Sequence, residues 1–109
     1  MDEVKKTATE EISPDYLADF RGYVRITTAK TKLDDEIRDL ILAARADLVR
    51  VGVSKKKAQD EKDPLIKRAI SAYVKAEFGL DNKDAEDYRA SYQMQRDELS
   101  ISSDYREGA

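Results

Sequence analysis

Leu33-Asp34-Asp35-Glu36-Ile37-Arg38-Asp39-Leu40-Ile41-Leu42-Ala43-Ala44-Arg45-Ala46-Asp47-Leu48-Val49-Arg50-Val51-Gly52 decides the fold class of this chain. Leu33, Ile37, Leu40, Ile41, Ala44, Leu48 and Val51 return every three or four residues, which places them on one stripe of a helix over Leu33–Val51. Asp34, Asp35 and Glu36 crowd the first turn, where the helix dipole favours negative charge. Thr31 and Asp34 resemble a capping box with Asp in place of Glu. Asp34 and Arg38 stand four apart in the favourable order, an ion pair of ~0.3 kcal/mol. Gly52 fits the left-handed position that closes a helix.

Downstream, Val53 to Lys62 is charged and has no apolar period, so a mobile loop is expected there. Asp63-Pro64 then signals a helix start, with an acidic cap and Pro at the first helical position. Leu65, Ile66, Ala69, Ile70, Tyr73, Val74 and Phe78 make a face wide enough for two neighbours, over a helix Pro64–Phe78 that Gly79 ends. A turn from Leu80 to Asp84 follows, with Asn82 or Asp84 as the cap of a fourth helix. Ala85, Tyr88, Tyr92 and Leu99 form its narrower stripe, with Met94 off its centre. Residues 100–109 read as a polar tail with two apolar points, Ile101 and Tyr105.

Upstream, Ser13-Pro14 gives the same start signal as Asp63-Pro64. Leu17, Phe20 and Val24 follow at helical spacing, in a short helix that frays near Gly22. Ile26 to Lys32 is a connector whose threonines lower helix propensity. Residues 1–12 are polar and mixed in charge, and a flexible arm is expected. The organisation predicted is an arm over 1–12, a helical domain over 13–99 and a tail over 100–109. The fold class is all-α, a small bundle of about four helices. The two middle helices form an antiparallel pair and the first helix covers their open side.

Composition narrows the function. In 109 residues, 40% are hydrophobic and 39% charged, so the core must be thin and much of the charge solvated. Such a core makes support from neighbouring subunits plausible. There is no Cys and no His, which removes thiolate chemistry, the commonest general base and the commonest metal ligand. No phosphate-cradling glycine motif and no calcium-loop pattern occurs. The acidic clusters, Asp34 to Glu36 and Asp81, Asp84, Glu86, Asp87, lie where helix starts call for them. No catalytic, cofactor or metal site is therefore expected, and no enzyme. No apolar run approaches the roughly eighteen residues of a membrane span, and the first residues carry no signal-peptide core, so synthesis in the cytoplasm is expected. A net charge of −3 argues against a dedicated nucleic-acid binder, while an acidic wall would let DNA pass without gripping it.

Two groups of residues stand out for interaction. Lys55, Lys56 and Lys57 could meet DNA phosphates, although Asp60, Glu61 and Asp63 nearby partly cancel them and favour a solvated loop. Six of the eight aromatic residues are Tyr, a side chain that buries its ring while its hydroxyl stays satisfied. Tyr88 and Tyr92 share a face of an otherwise polar helix, and with Leu99 they suggest a surface divided between core and partner.

The order of these pieces resembles a known family. Leu33-Asp34-Asp35-Glu36-Ile37 leads to Leu40-Ile41-Leu42-Ala43-Ala44-Arg45-Ala46-Asp47-Leu48. A loop follows, then Asp63-Pro64-Leu65-Ile66-Lys67-Arg68-Ala69-Ile70-Ser71-Ala72-Tyr73-Val74-Lys75-Ala76-Glu77-Phe78. Tyr88-Arg89-Ala90-Ser91-Tyr92, Leu99 and Tyr105 close the pattern. This is similar to the head–tail connector, or head-completion (adaptor), family of long-tailed phages, over roughly residues 14 to 105. The resemblance implies a ring of copies, a dodecamer with the twelve-fold symmetry of the portal protein, placed below the portal. The ring would extend the DNA channel, help retain DNA without binding it specifically, and dock the next tail or stopper component, with no reaction catalysed and no membrane involved. It would be found in the virion after assembly in the host cytoplasm. On this resemblance Tyr88, Tyr92, Leu99, Ile101 and Tyr105 are expected at a subunit or portal interface, and Lys55, Lys56 and Lys57 in a loop facing the channel or the tail. The alternative is a small helical DNA-binding or regulatory protein. Its recognition helix would have only Lys67, Arg68 and Lys75 to offer.

Overall fold

The computed structural model describes residues 12–24, 31–79 and 83–106, with the backbone alone at 31 and 32. Residues 1–11 of the predicted arm, most of the connector, the turn residues 80–82 and the last three residues of the tail lie outside the described residues. Five helices are present among the described ones: α1 (Pro14–Tyr23), α2 (Thr31–Arg50), α3 (Lys55–Ala58), α4 (Pro64–Glu77) and α5 (Ala85–Ile101). The chain is all-α, and the one piece of extended pairing among those residues is an isolated antiparallel bridge between Val53 and Arg106.

Both Pro-led starts form as their chemistry dictates. The Ser13 hydroxyl accepts from the Tyr16 N–H at 3.1 Å and caps α1. Asp63 Oδ1 accepts from the Leu65 and Ile66 N–H groups at 3.0 and 3.1 Å and caps α4. The end of α2 is a Schellman motif. Gly52 adopts φ +114°. Its N–H donates to the Val49 carbonyl, and the Val53 N–H to that of Leu48, both at 3.0 Å. Leu48 and Val53, the apolar pair that accompanies this motif, are both buried.

Helix α4 is the centre of the molecule and packs against α1, α2 and α5. Its buried residues are Ile66, Ala69, Ile70, Ala72, Val74 and Ala76, and the alanines let neighbouring backbones come close. Ile37, Ile41, Ala44 and Leu48 of α2 and Tyr16, Leu17 and Phe20 of α1 complete one continuous core. The whole measures 41 × 41 × 19 Å, a slab about two helix diameters thick.

Several expectations are corrected. Ile12, assigned to the arm, is buried in the core. Helix α2 starts at Thr31 rather than Leu33, and the side chain on which the capping box rests lies outside the described residues. Asp34 does not pair with Arg38. It faces α1 and accepts two bonds from Arg21, Nε at 2.7 Å and Nη2 at 2.9 Å, while Arg38 turns to Asp35 at 2.8 Å. A bidentate pair across two helices outcompetes a solvated pair along one. Asp84 stands at the cap position of α5 without a side-chain capping bond.

The segment Val53 to Lys62 is not a mobile loop. Ser54 caps α3 by accepting from the Lys57 N–H at 3.1 Å, and Val53 and Ala58 are buried. Two apolar residues five apart make no period, yet both reach the core. Glu61 fixes the far end. It accepts from the Ser13 N–H at 2.9 Å and the Ser13 hydroxyl at 2.6 Å, and lies 3.6 Å from the buried Arg45 guanidinium. Arg45 in turn sits 5.8 Å from the Tyr16 ring centroid.

Candidate assembly surface

Helix α5 divides its residues between the core and the outside. Tyr92 and Leu99 point inward, 4% and 5% exposed. The Tyr92 ring meets Tyr73 edge-on at 5.1 Å, and its hydroxyl donates to Asp47 Oδ2 at 2.7 Å. Arg96 reaches the same oxygen at 3.2 Å, and Arg50 donates to Asp47 Oδ1 at 2.6 Å. Burial pushes the Asp47 carboxyl up, but these three donors outweigh it and hold it below the usual carboxylate range. Burial and the bond to Asp47 both push the Tyr92 hydroxyl well above its ordinary value. Beside this hub runs a groove of about 520 Å³ between α2, α4 and α5, floored by Ala43, Ala46 and Ala76.

The opposite face of α5 carries Met94 and Ile101, which are 59% and 76% exposed. They stand seven residues apart, two helical turns, and so share a face. Tyr88 is half-buried, with the Lys75 ammonium 5.5 Å from its ring centroid.

The tail folds back on its own subunit. The Ser54 N–H donates to the Tyr105 carbonyl at 2.7 Å, next to the bridge between Val53 and Arg106. The Tyr105 hydroxyl lies 3.1 and 3.0 Å from the two carboxylate oxygens of Asp63, and Lys57 Nζ sits 5.2 Å from the Tyr105 ring centroid. The lysine triplet is therefore divided: Lys55 and Lys56 are exposed, whereas Lys57 lies over the tail.

Of the residues expected at an interface, then, Ile101 is open, Tyr88 and Tyr105 are partly covered, and Tyr92 and Leu99 are enclosed within the subunit. Asp47, Arg96 and Glu61 are organising groups that no apolar spacing in the sequence singles out. An acid inside the small-residue run Ala43 to Leu48, with Arg three residues on, was the available signal for Asp47. Met94 lies off the centre of the α5 stripe, and that offset is what leaves it on the outside.

The helix that would have to read DNA is the central one. Lys67 is held by Asp19 at 2.6 Å and lies over the rings of Tyr16 and Tyr23, and Lys75 lies between Tyr23 and Tyr88. Only Arg68 of the three basic candidates projects freely from α4 into solvent. Among the described residues no group of three or more acids is placed to hold a metal ion, and no helix is long and apolar enough to cross a membrane.

A bundle with much of its polar chemistry spent on internal bonds and its two most exposed large apolar side chains on one helix face suits assembly. The family model described as phage connector protein matches residues 16–106, most of the chain. The chain belongs to the phage connector protein family. Neither the curated proteins nor the solved structures contain a match. The matched span starts at Tyr16 and ends at Arg106, so it takes in the docked tail as well as the core. The connector has a phage head–tail connector role in virion assembly, which brings it together with portal and tail components. Connectors are structural proteins rather than enzymes.

Proposed function

We propose that this connector forms a ring below the portal, which lengthens the DNA channel and presents a docking surface to the next tail component. The family membership carries the reading, and the outer face of α5 supports it. Met94 and Ile101 are the two most exposed large apolar side chains among the described residues, and closing a ring would cover them. Tyr88, half-buried at the other end of α5 on the Tyr92 side of the helix, would offer a separate contact. Tyr92, Leu99 and Tyr105 would serve it from within, by fixing the helix and the tail that present it.

The channel is proposed to let DNA pass without specific binding. A net charge of −3 gives phosphates little to hold, and of the α4 cations Lys67 and Lys75 are engaged inside the subunit, which leaves Arg68 in solvent. Exposed Lys55 and Lys56 would face the channel or the tail side. Assembly would take place in the host cytoplasm.

Electron microscopy of the protein mixed with portal protein tests the reading. Rings stacked on portal, lost in a Met94→Lys, Ile101→Lys double variant that remains folded by circular dichroism, are the expected result. A wild-type protein that stays monomeric and never joins portal would overturn it.

A further inference from the structure

The place where the tail docks has the parts of a peptide-binding site. It offers a backbone donor, the Ser54 N–H, to a carbonyl. It offers a carboxylate, Asp63, to a phenol hydroxyl and a cation, Lys57, to a ring face. Next to the donor, Val53 makes the extended pairing that holds the following residue. Every one of these groups comes from residues 53–63, and every group they hold comes from Tyr105 and Arg106. The two sides are far apart in sequence and joined only by non-covalent contact. This is strand addition in miniature: main-chain bonding sets direction, and one side-chain position sets specificity.

We infer that residues Val53–Asp63 form a docking site for a short extended segment carrying a tyrosine, filled in the isolated subunit by its own tail and able to take the same tail from a second copy. The covalent path supports the second copy as the alternative occupant. The tail leaves α5 through Ser102 to Asp104, a turn closed by bonds from the Tyr105 and Arg106 N–H groups to the Ser102 carbonyl. Opening that one turn releases the tail with its docking groups intact. Ile101, the most exposed large apolar residue among the described ones, lies immediately before the turn. A tail reaching across to another copy brings the two α5 ends together and gives Ile101 a partner. Exchange of an identical segment creates no new chemistry, so it is an inexpensive route to association. The inference stands apart from the ring: it concerns one site, whatever the assembly built on it.

The test uses the full chain with its own ligand group removed. In Tyr105→Ala the site is intact and its occupant lacks the phenol. A synthetic peptide of residues 102–109 added to this variant should shift the Ser54 amide resonance in a saturable way at millimolar concentration. The same peptide with Phe for Tyr should bind at least threefold more weakly. Wild-type protein, with its site filled, should respond at least threefold less than the variant at the same peptide concentration. A second arm mixes Tyr105→Ala with Asp63→Ser, which keeps a capping side chain for α4 but loses the carboxylate. The pair should form a mixed dimer by native mass spectrometry, in excess over either variant alone, because one supplies the site and the other the tail. No saturable shift in Tyr105→Ala, or an equal response in wild type, overturns the site. A saturable shift without mixed dimers overturns the second copy as occupant.

Discussion

Tyr105 and Asp63, 42 residues apart, meet through one hydroxyl that lies 3.0 Å from one carboxylate oxygen and 3.1 Å from the other. The same Asp63 Oδ1 caps the central helix α4. Tail docking and the start of α4 therefore share an atom. Tyr105→Phe removes the hydroxyl and leaves the ring against Lys57. The expected loss is about 1 kcal/mol, below the usual range for bonds to charged groups because the site is half open to water. The urea midpoint measures it, with the m-value unchanged. A variant as stable as wild type would mean that the hydroxyl bond adds nothing beyond what water supplies.

Gly52 is the second sensitive point. Its φ of +114° is one that L side chains rarely adopt, although a Cβ there would meet only the Ser100 carbonyl oxygen at an ordinary 3.9 Å. The penalty is thus conformational and not steric crowding by neighbours. Gly52→Ala should destabilise by about 1–2 kcal/mol. Gly22 lies in helix α1 with nothing within 4 Å of its added Cβ, so Gly22→Ala should stabilise by roughly 0.5–1 kcal/mol. Thermal melts of the two variants should move in opposite directions.

How much of this was legible in the sequence depends on where the information sits. Helix α2, the Ser-Pro and Asp-Pro starts and the Gly52 stop are local, and they form as the spacing and capping rules state. Segment 53–62 was misread because its order is not local: Val53 and Ala58 reach the core, Glu61 is fixed by Ser13, and the tail lies against Ser54 and Lys57. The same holds for Asp34, whose partner across the bundle, Arg21, no within-helix spacing rule could name. On the assembly face, a stripe at helical spacing identifies Tyr92 and Leu99 as a surface without saying which way it faces. The core takes that stripe and leaves Met94 and Ile101 outside.

Acid and alkali should both unfold the protein, through different groups. Asp47 and Asp34 have carboxyls held below the ordinary range, Asp47 by Tyr92, Arg50 and Arg96 against the effect of burial, and Asp34 chiefly by its hydrogen bonds from Arg21. A depressed folded pKa contributes stability that is complete above the unfolded value, about 3.9, and is lost as pH falls through the folded one. Stability should therefore decline below about pH 4. At the other end, Tyr16, Tyr92 and Tyr105 are raised, first by burial in each case. A raised folded pKa contributes stability that is complete below the unfolded value, about 10, and is lost as pH rises through the folded one. The tyrosinate absorbance should rise together with loss of helix above pH ~10, in one cooperative step. A smooth titration of all tyrosines in a chain that keeps its helical signal would contradict this.

Ser13 and Glu61, 48 residues apart, form another long-range joint, and it should behave as a coupled unit. The Ser13 hydroxyl accepts from the Tyr16 N–H and donates to Glu61, so Ser13→Ala removes a helix cap and a long-range bond together. A loss of about 1–2 kcal/mol is expected. Glu61→Gln keeps an oxygen for Ser13 but takes the negative charge away from the buried Arg45, 3.6 Å distant. Arg45 keeps its contact with Tyr16 and Glu61 is partly exposed, so this variant should lose no more than Ser13→Ala. The double variant should lose less than the sum, by about 0.5 kcal/mol or more, because both changes break the same contact. A double-mutant cycle by chemical denaturation measures the coupling. Strict additivity would mean that Ser13 acts on α1 alone and that Glu61 holds segment 53–62 through Arg45 without it.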